Sequence, residues 1–216
     1  LDALHANFQL RFRLPSGDGA NGCNGAAQGC DYWHVDNVEV VEGEAKPLTY
    51  LNDFESGLDD WSEVSVTGSQ TQGDVGVGSE TAQSGSQSMY LRWGAIGAVS
   101  PFLEADVPAA ELSVWIRRGN DGFSEDPDNG EDLVLEYQTG TGSWQGLETF
   151  PGDGTPGETF NRTYTLPASA RHDRLRLRFR TTGGDGIGSC NGAAQGCDYW
   201  HVDDVRVAET LPAPLA

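Results

Sequence analysis

The segment Asp126-Pro-Asp128-Asn-Gly130-Glu-Asp132 sets carboxylates at alternate positions around a glycine bend. That spacing can converge oxygens on a hard cation, and the expectation is a calcium ion held by Asp126, Asp128 and Asp132. The twelve-residue spacing and terminal Glu of an EF-hand are absent, so a solvated acidic turn is the competing expectation. Another carboxylate, Asp203, lies in DYWHVDDVRV, where alternation places it on the face of Val205 and Val207, toward a core. A buried carboxylate must be paired, protonated or metal-bound.

A different chemistry is suggested by RLRLRFRTT. Arg174, Arg176, Arg178 and Arg180 project from one face of a strand while Leu175, Leu177 and Phe179 take the other. With Trp115 and Arg117 of ELSVWIRRG on a neighbouring strand, Arg176 and Arg178 would make a platform for acidic or sulfated polysaccharide. The arginines would grip anions and the Trp would stack on sugar rings. The competing expectation is cross-strand pairing with Glu111, Glu136, Glu148 and Glu158, each pair contributing tenths of a kcal/mol.

No nucleophile stands in a recognisable motif beside His34 or His201, and no E-x-D-x-x-E run marks a hydrolase. The chain is therefore expected to be non-catalytic. His201 and Trp200 fall on opposite strand faces, which suits packing as well as chemistry.

These residues sit in a duplicated frame. CNGAAQGCDYWHVD occurs at Cys23–Asp36 and again at Cys190–Asp203, and the match extends outward without a gap, pairing His5–Glu42 with His172–Glu209. Such a repeat implies tandem duplication of one module. Residues 1–46 are expected to be the closing hairpin and linker of a preceding copy, with strands Phe8–Leu14 and Tyr32–Val41. Residues 47–209 form a complete module, and 210–216 a tail. A lone hairpin is marginal in water, so residues 1–46 are expected to cap the edge of the following module, to complete a neighbouring chain, or to belong with residues upstream of this sequence. Residue 1 is Leu and no leader is visible, so the chain is expected to be a piece of a longer secreted precursor.

The cysteines form two C-x6-C pairs, read as disulfides Cys23–Cys30 and Cys190–Cys197 in an oxidising compartment. Each would contribute about 2–3 kcal/mol by closing a glycine-rich loop. Zinc is the rival, though shorter cysteine spacing would suit it better.

Short alternating runs broken by 29 Gly and 10 Pro point to an all-β chain. SMYLRWG, ELSVWIRRG, DLVLEYQ, SWQGLETF, TFNRTYTL, RLRLRFRTT and DYWHVDDVRV read as strands, with a Gly-Thr-Gly hairpin between the third and fourth. Thr67–Gln87, rich in Gly, Ser, Gln and Thr, reads as a surface loop. Roughly nine to eleven such strands make an antiparallel jelly-roll sandwich.

The order DFE…DDW, YLRWG…SP, LSVWIRRG and a terminal VDDV strand resembles MAM-type, concanavalin-like jelly rolls. YLRWG, IRRGNDGFSEDPDNGEDLVLEY, ETFPGDGTPGETFNRTYTLP, LHANFQLRFR and DYWHVDDV resemble the tandem domains of the MshQ family of mannose-sensitive haemagglutinin pilus-biogenesis proteins. That resemblance implies a bacterial surface protein and no reaction. In MAM-like and carbohydrate-binding jelly rolls the opening FE glutamate and a closing DD aspartate bind one structural cation. The resemblance thus places Ca2+ at Glu55 and Asp203, with Asp53 or Asp204 as helpers. The CNGAAQGC loop is longer than the glycine-rich turn associated with these repeats.

The net charge of −20 argues against nucleic acid and anionic membrane as partners. Neighbouring copies of the same module and surface or environmental polysaccharide remain. The expectation is a calcium-stabilised adhesion or assembly module, with strand exchange through residues 1–46, or else a lectin-like module for acidic polysaccharide.

Overall fold

The computed structural model describes residue 35 and residues 48–66, 73–120, 124–185 and 197–210. The chain divides into two compact units, Leu1–Lys46 and Pro47–Ala216. The hairpin expected in the first unit, with Cys23 and Cys30, lies outside the described residues, as does Cys190.

In the second unit eleven strands are described: β1 Thr49–Asn52, β2 Ser62–Ser65, β3 Asp74–Gly78, β4 Ser88–Arg92, β5 Ile96–Val99, β6 Ala110–Arg118, β7 Leu133–Gln138, β8 Trp144–Phe150, β9 Thr159–Thr165, β10 Leu177–Thr181 and β11 Trp200–Glu209. They form a six-stranded sheet in the order β3-β4-β11-β6-β9, with β1 also on β11, and a five-stranded sheet in the order β2-β5-β10-β7-β8. Every pairing is antiparallel. The result is a jelly-roll sandwich. No helix among the described residues is long and apolar enough to cross a membrane.

Two-residue alternation decides which side chains meet between the sheets. Leu112, Val114 and Ile116 of β6 face Leu177 and Phe179 of β10 across one buried core. Two aromatic groups anchor it. Trp61 lies 5.7 Å from Phe179 and 5.9 Å from Phe54. Trp200 lies 6.4 Å from both Phe150 and Phe160. Each such ring contributes about 4–6 kcal/mol of gross transfer energy at 150–250 Å² buried.

Two sequence expectations are corrected here. The segment Thr67–Gln87 is not all loop, because β3 lies within it: Val75 faces the core and Gly76 makes room for the Tyr90 ring. Asp203 does not share a face with Val205 and Val207. The β11–β6 register shifts between Asp203 and Arg206, and Asp204 takes a φ of 49°. The extra residue moves the core sequence from Trp200 and Val202 to Val205 and Val207. Asp203 therefore stands beside His201 on the outer face.

Candidate functional site

Strand β10 runs down the middle of the five-stranded sheet, so its outward residues occupy the centre of an open face. The register sets Arg178 opposite Glu136 of β7, and Glu136 opposite Gly146 of β8. Arg178 donates from Nε to Glu136 Oε2 at 2.6 Å, and Arg180 donates to the same carboxylate from Nε at 3.3 Å and Nη2 at 3.4 Å. Burial alone would raise the Glu136 carboxyl, but the hydrogen bonds and charges of Arg178 and Arg180 hold it below the usual range. One carboxylate between two guanidiniums leaves a net positive group. Its remaining N–H bonds and carboxylate lone pairs match sugar hydroxyls.

Trp144 supplies the flat apolar surface. It pairs with Gln138 at the start of β8 and is half-buried. The Arg178 guanidinium lies over its ring, 4.3 Å from the centroid. A Cβ at Gly146 would meet nothing within 4 Å, so the space above that part of β8 is open. The hairpin turn brings Trp144 to this place, and Gly142 at φ 87° supplies its left-handed residue.

Of the four residues expected to make a ligand platform, Arg176 and Arg178 belong to this face. Trp115 and Arg117 belong to β6, in the other sheet. There Trp115 is 5% exposed beside a cleft of about 230 Å³ shared with Asn161 and Asp204. The aromatics on the arginine face are Trp144 and Phe102. Phe102 is 54% exposed, with the Arg174 and Arg176 guanidiniums 5.1 and 5.0 Å from its ring centroid. A signal for Trp144 was available. It opens the strand that pairs with DLVLEYQ, itself the obvious neighbour for an arginine strand seeking carboxylates. The cross-strand pairing expected for Glu136 is present, whereas Glu148 and Glu158 pair with Arg162 and Arg118 instead.

Glu55 and Asp203 do come to one loop. Asp203 Oδ2 accepts the Gln83 N–H at 2.8 Å and the Ser84 N–H at 3.1 Å. Glu55 Oε1 accepts the Ser86 and Gln87 N–H groups at 2.8 and 2.6 Å. Ser84 Oγ donates to Asp204 Oδ1 at 2.7 Å. Between them Gly85 takes a φ of 59°, and a Cβ there would run into the Glu55 carboxyl. The Ser86 and Gln87 N–H bonds hold the Glu55 carboxyl below its ordinary value. Burial pushes Asp203 up despite the N–H bonds it accepts. The partners now facing these carboxylates are hydrogen-bond donors, so a cation there would need oxygen ligands from the loop as well.

Asp126, Asp128 and Asp132 do not gather. Asp132 Oδ1 accepts the Gly152 N–H at 2.9 Å, Asp128 is exposed, and the described residues contain no metal-holding group of three or more His, Cys, Asp or Glu. Glu125 and Glu131 each lie close to Asp198. Burial, with neighbouring aspartates, pushes Glu125 up to about 7 and Glu131 up to about 8. Asp198 is raised for the same first reason. Glu125 accepts the Asp198 N–H, and the Glu131 carbonyl accepts from Trp200 Nε1 at 2.9 Å. These acids therefore anchor the approach to β11 against the core.

Cys197 is buried and disulfide-bonded. Its expected partner, Cys190, is outside the described residues. His201 is fully buried, stacked on Tyr199 at 5.4 Å, and burial pushes its imidazole down to about 3. A neutral, enclosed ring of this kind packs the sheet.

No protein-family model matches the chain, and no curated protein matches it. Solved structures do. The chain is similar to the K1 cleaved adhesin domain of Lys-gingipain from Porphyromonas gingivalis W83, at 14% identity and a TM-score of 0.52, over 76% of this chain and 99% of that one. It is also similar to the xylanase 10B modules of Clostridium thermocellum complexed with xylohexaose, at 16% identity and a TM-score of 0.50, over 77% of this chain and 29% of that one. At such identities the likeness is one of fold: the chain is an all-β jelly-roll sandwich, like adhesin and carbohydrate-binding modules.

Proposed function

We propose that this chain is a non-catalytic adhesion module that binds polysaccharide through the outer face of its five-stranded sheet. The observation that carries the reading is the group Trp144, Arg178, Glu136 and Arg180, held together on an open surface. A sugar ring offers an apolar face and a rim of hydroxyls; the Trp face and the arginine–carboxylate group offer complements to both. Most of this group is fixed before any ligand arrives, which lowers the entropic cost of binding. The xylohexaose bound by one structural neighbour and the adhesin nature of the other agree with the reading. Retardation of the chain in gels containing xylan, galactan or an acidic polysaccharide tests it, with Trp144→Ala as the comparison.

The setting we propose is a secreted bacterial surface protein built of tandem copies, supported by the internal repeat and by the resemblance to MshQ-type domains. The repeat also favours assembly between copies through residues 1–46. Light scattering with and without those residues tests this second reading, and a monomer in both cases would remove it. A calcium ion at Glu55 and Asp203 belongs to the same proposal. Its support is that both carboxylates reach one loop.

A further inference from the structure

At one end of the proposed binding face, the Thr139–Gly142 turn separates two clefts. The first, about 330 Å³, is lined by Phe102, Gln138, Gly140, His172, Arg174 and Arg176. The second, about 490 Å³, lies across the turn and is lined by Ser143, Gln145, Ser169 and Arg171 together with His172. Both volumes fall in the range of small-ligand sites, roughly 300–1,000 Å³.

The arginines here, like Arg117 and Arg206, reach no carboxylate among the described residues. The chain has 33 acidic side chains against 13 basic ones, and Arg92, Arg118, Arg162, Arg178 and Arg180 each reach a carboxylate. Among the described residues Arg171, Arg174 and Arg176 form no ion pair within 4.0 Å, although Asp173 is their neighbour in sequence and Glu104 follows Leu103, which bridges to Leu175. Arg171 Nε is buried with no hydrogen-bond partner. Among the described residues Arg176 donates only Nε, to the Ser100 carbonyl at 3.0 Å, and its terminal nitrogens have no hydrogen-bond partner. Burial lowers its guanidinium from the ordinary value, as befits a half-buried cation without a counter-ion. The wall between the clefts is fixed. His172 Nδ1 accepts the Arg174 N–H at 3.2 Å, so Nε2 carries the hydrogen donated to the Gln138 carbonyl at 3.0 Å. An unpaired, half-buried guanidinium costs stability that an oxyanion would offset with paired hydrogen bonds.

We propose that Arg174 and Arg176, with Arg171 across the turn, seat an anionic substituent of the bound polysaccharide, a carboxylate or a sulfate, while Phe102 packs against its sugar ring. The inference rests on the polysaccharide-binding reading above and names the class of polymer. The long-range repulsion expected from a net charge of −20 is screened beyond about 8 Å at physiological salt. Contacts at the cleft are not.

Affinity electrophoresis and calorimetry with polygalacturonate, dextran sulfate and neutral xylan test the assignment in the intact chain. The expected result is that polygalacturonate or dextran sulfate binds at least tenfold tighter than xylan. The double variant R174Q/R176Q should lose that preference while melting no lower than the parent, and the polymer that responds identifies the substituent as carboxylate or sulfate. Equal binding of charged and neutral polymers, or an unchanged preference in R174Q/R176Q, overturns the anion site. If xylan still binds and Trp144→Ala abolishes it, the broader reading stands alone. Binding of none of the three polymers counts against both.

Discussion

The Arg178 guanidinium lies 4.3 Å over the Trp144 ring while its Nε donates 2.6 Å to Glu136. One arginine thus links the aromatic platform of β8 to the carboxylate of β7. A cation over an indole is worth about 0.5–1 kcal/mol at a partly exposed site. That energy helps hold the Trp face in place before a ligand arrives.

Glu136→Ala removes the carboxylate shared by Arg178 and Arg180 and leaves two guanidiniums side by side. The expected cost is about 1–3 kcal/mol, read as a lower Tm. Glu136→Gln isolates the charge. Because the folded carboxyl is held below its ordinary value, its contribution is present above the usual carboxylate range and is lost as pH falls through the lowered value. The Tm gap between the parent and Glu136→Gln should accordingly close in strong acid. A gap independent of pH would contradict the ion-pair account.

Glu131→Gln should act in the opposite sense. With the folded group raised from 4.5 to about 8, the unfolded chain ionises first as pH rises. Stability therefore falls between about 4.5 and 8. The variant should melt at least roughly 2–4 °C above the parent at pH 8, because even about 1 kcal/mol of this penalty moves the Tm of a domain of this size that far. At pH 4 the two should coincide. A variant less stable than the parent at pH 8 would refute the cause assigned to the shift.

Asp203→Ala strips the acceptor from the Gln83 and Ser84 N–H groups. Losing these part-buried hydrogen bonds to a carboxylate costs about 1–3 kcal/mol. Hydrogen exchange should accelerate at Gln83 and Ser84 more than in β7 or β10. Uniform acceleration would mean that Asp203 supports the whole sandwich instead of this loop.

Much of the sandwich is legible in the sequence, because alternation is local. Leu112, Val114 and Ile116, or Leu177 and Phe179, announce their buried face two residues at a time, and Gly-Thr-Gly announces the β7–β8 hairpin. Strand order is not local. Nothing near Trp115 says that β6 lies in the six-stranded sheet, and Trp144 gains its role only through pairing with Gln138 and contact with Arg178. Strand β3 offers two valines among glycines, too faint a pattern to separate from loop. The bulge that turns Asp203 outward did leave a trace. Asp204, at φ 49°, is matched in the first copy by Asn37, and Asp and Asn are the non-glycine types that tolerate that conformation best. The break in an otherwise unbroken run of identities from Cys23 to Asp36 thus falls on the irregular residue.

Calcium at Glu55 and Asp203 would stabilise the loop between them by linkage to folding. Adding calcium after exhaustive chelation should raise the Tm, and Asp203→Ala should abolish the increase. A Tm indifferent to both chelator and added calcium would remove the cation from the account.

The most direct test of the central claim compares the parent and Trp144→Ala in affinity gels containing neutral and acidic polysaccharides, with Tm as the control for folding. The account expects retardation of the parent by at least one polymer and its loss, tenfold or more in affinity, in a variant that melts normally. Equal retardation of both proteins, or mobility untouched by any polysaccharide, would contradict a glycan-binding face built on Trp144 and Arg178.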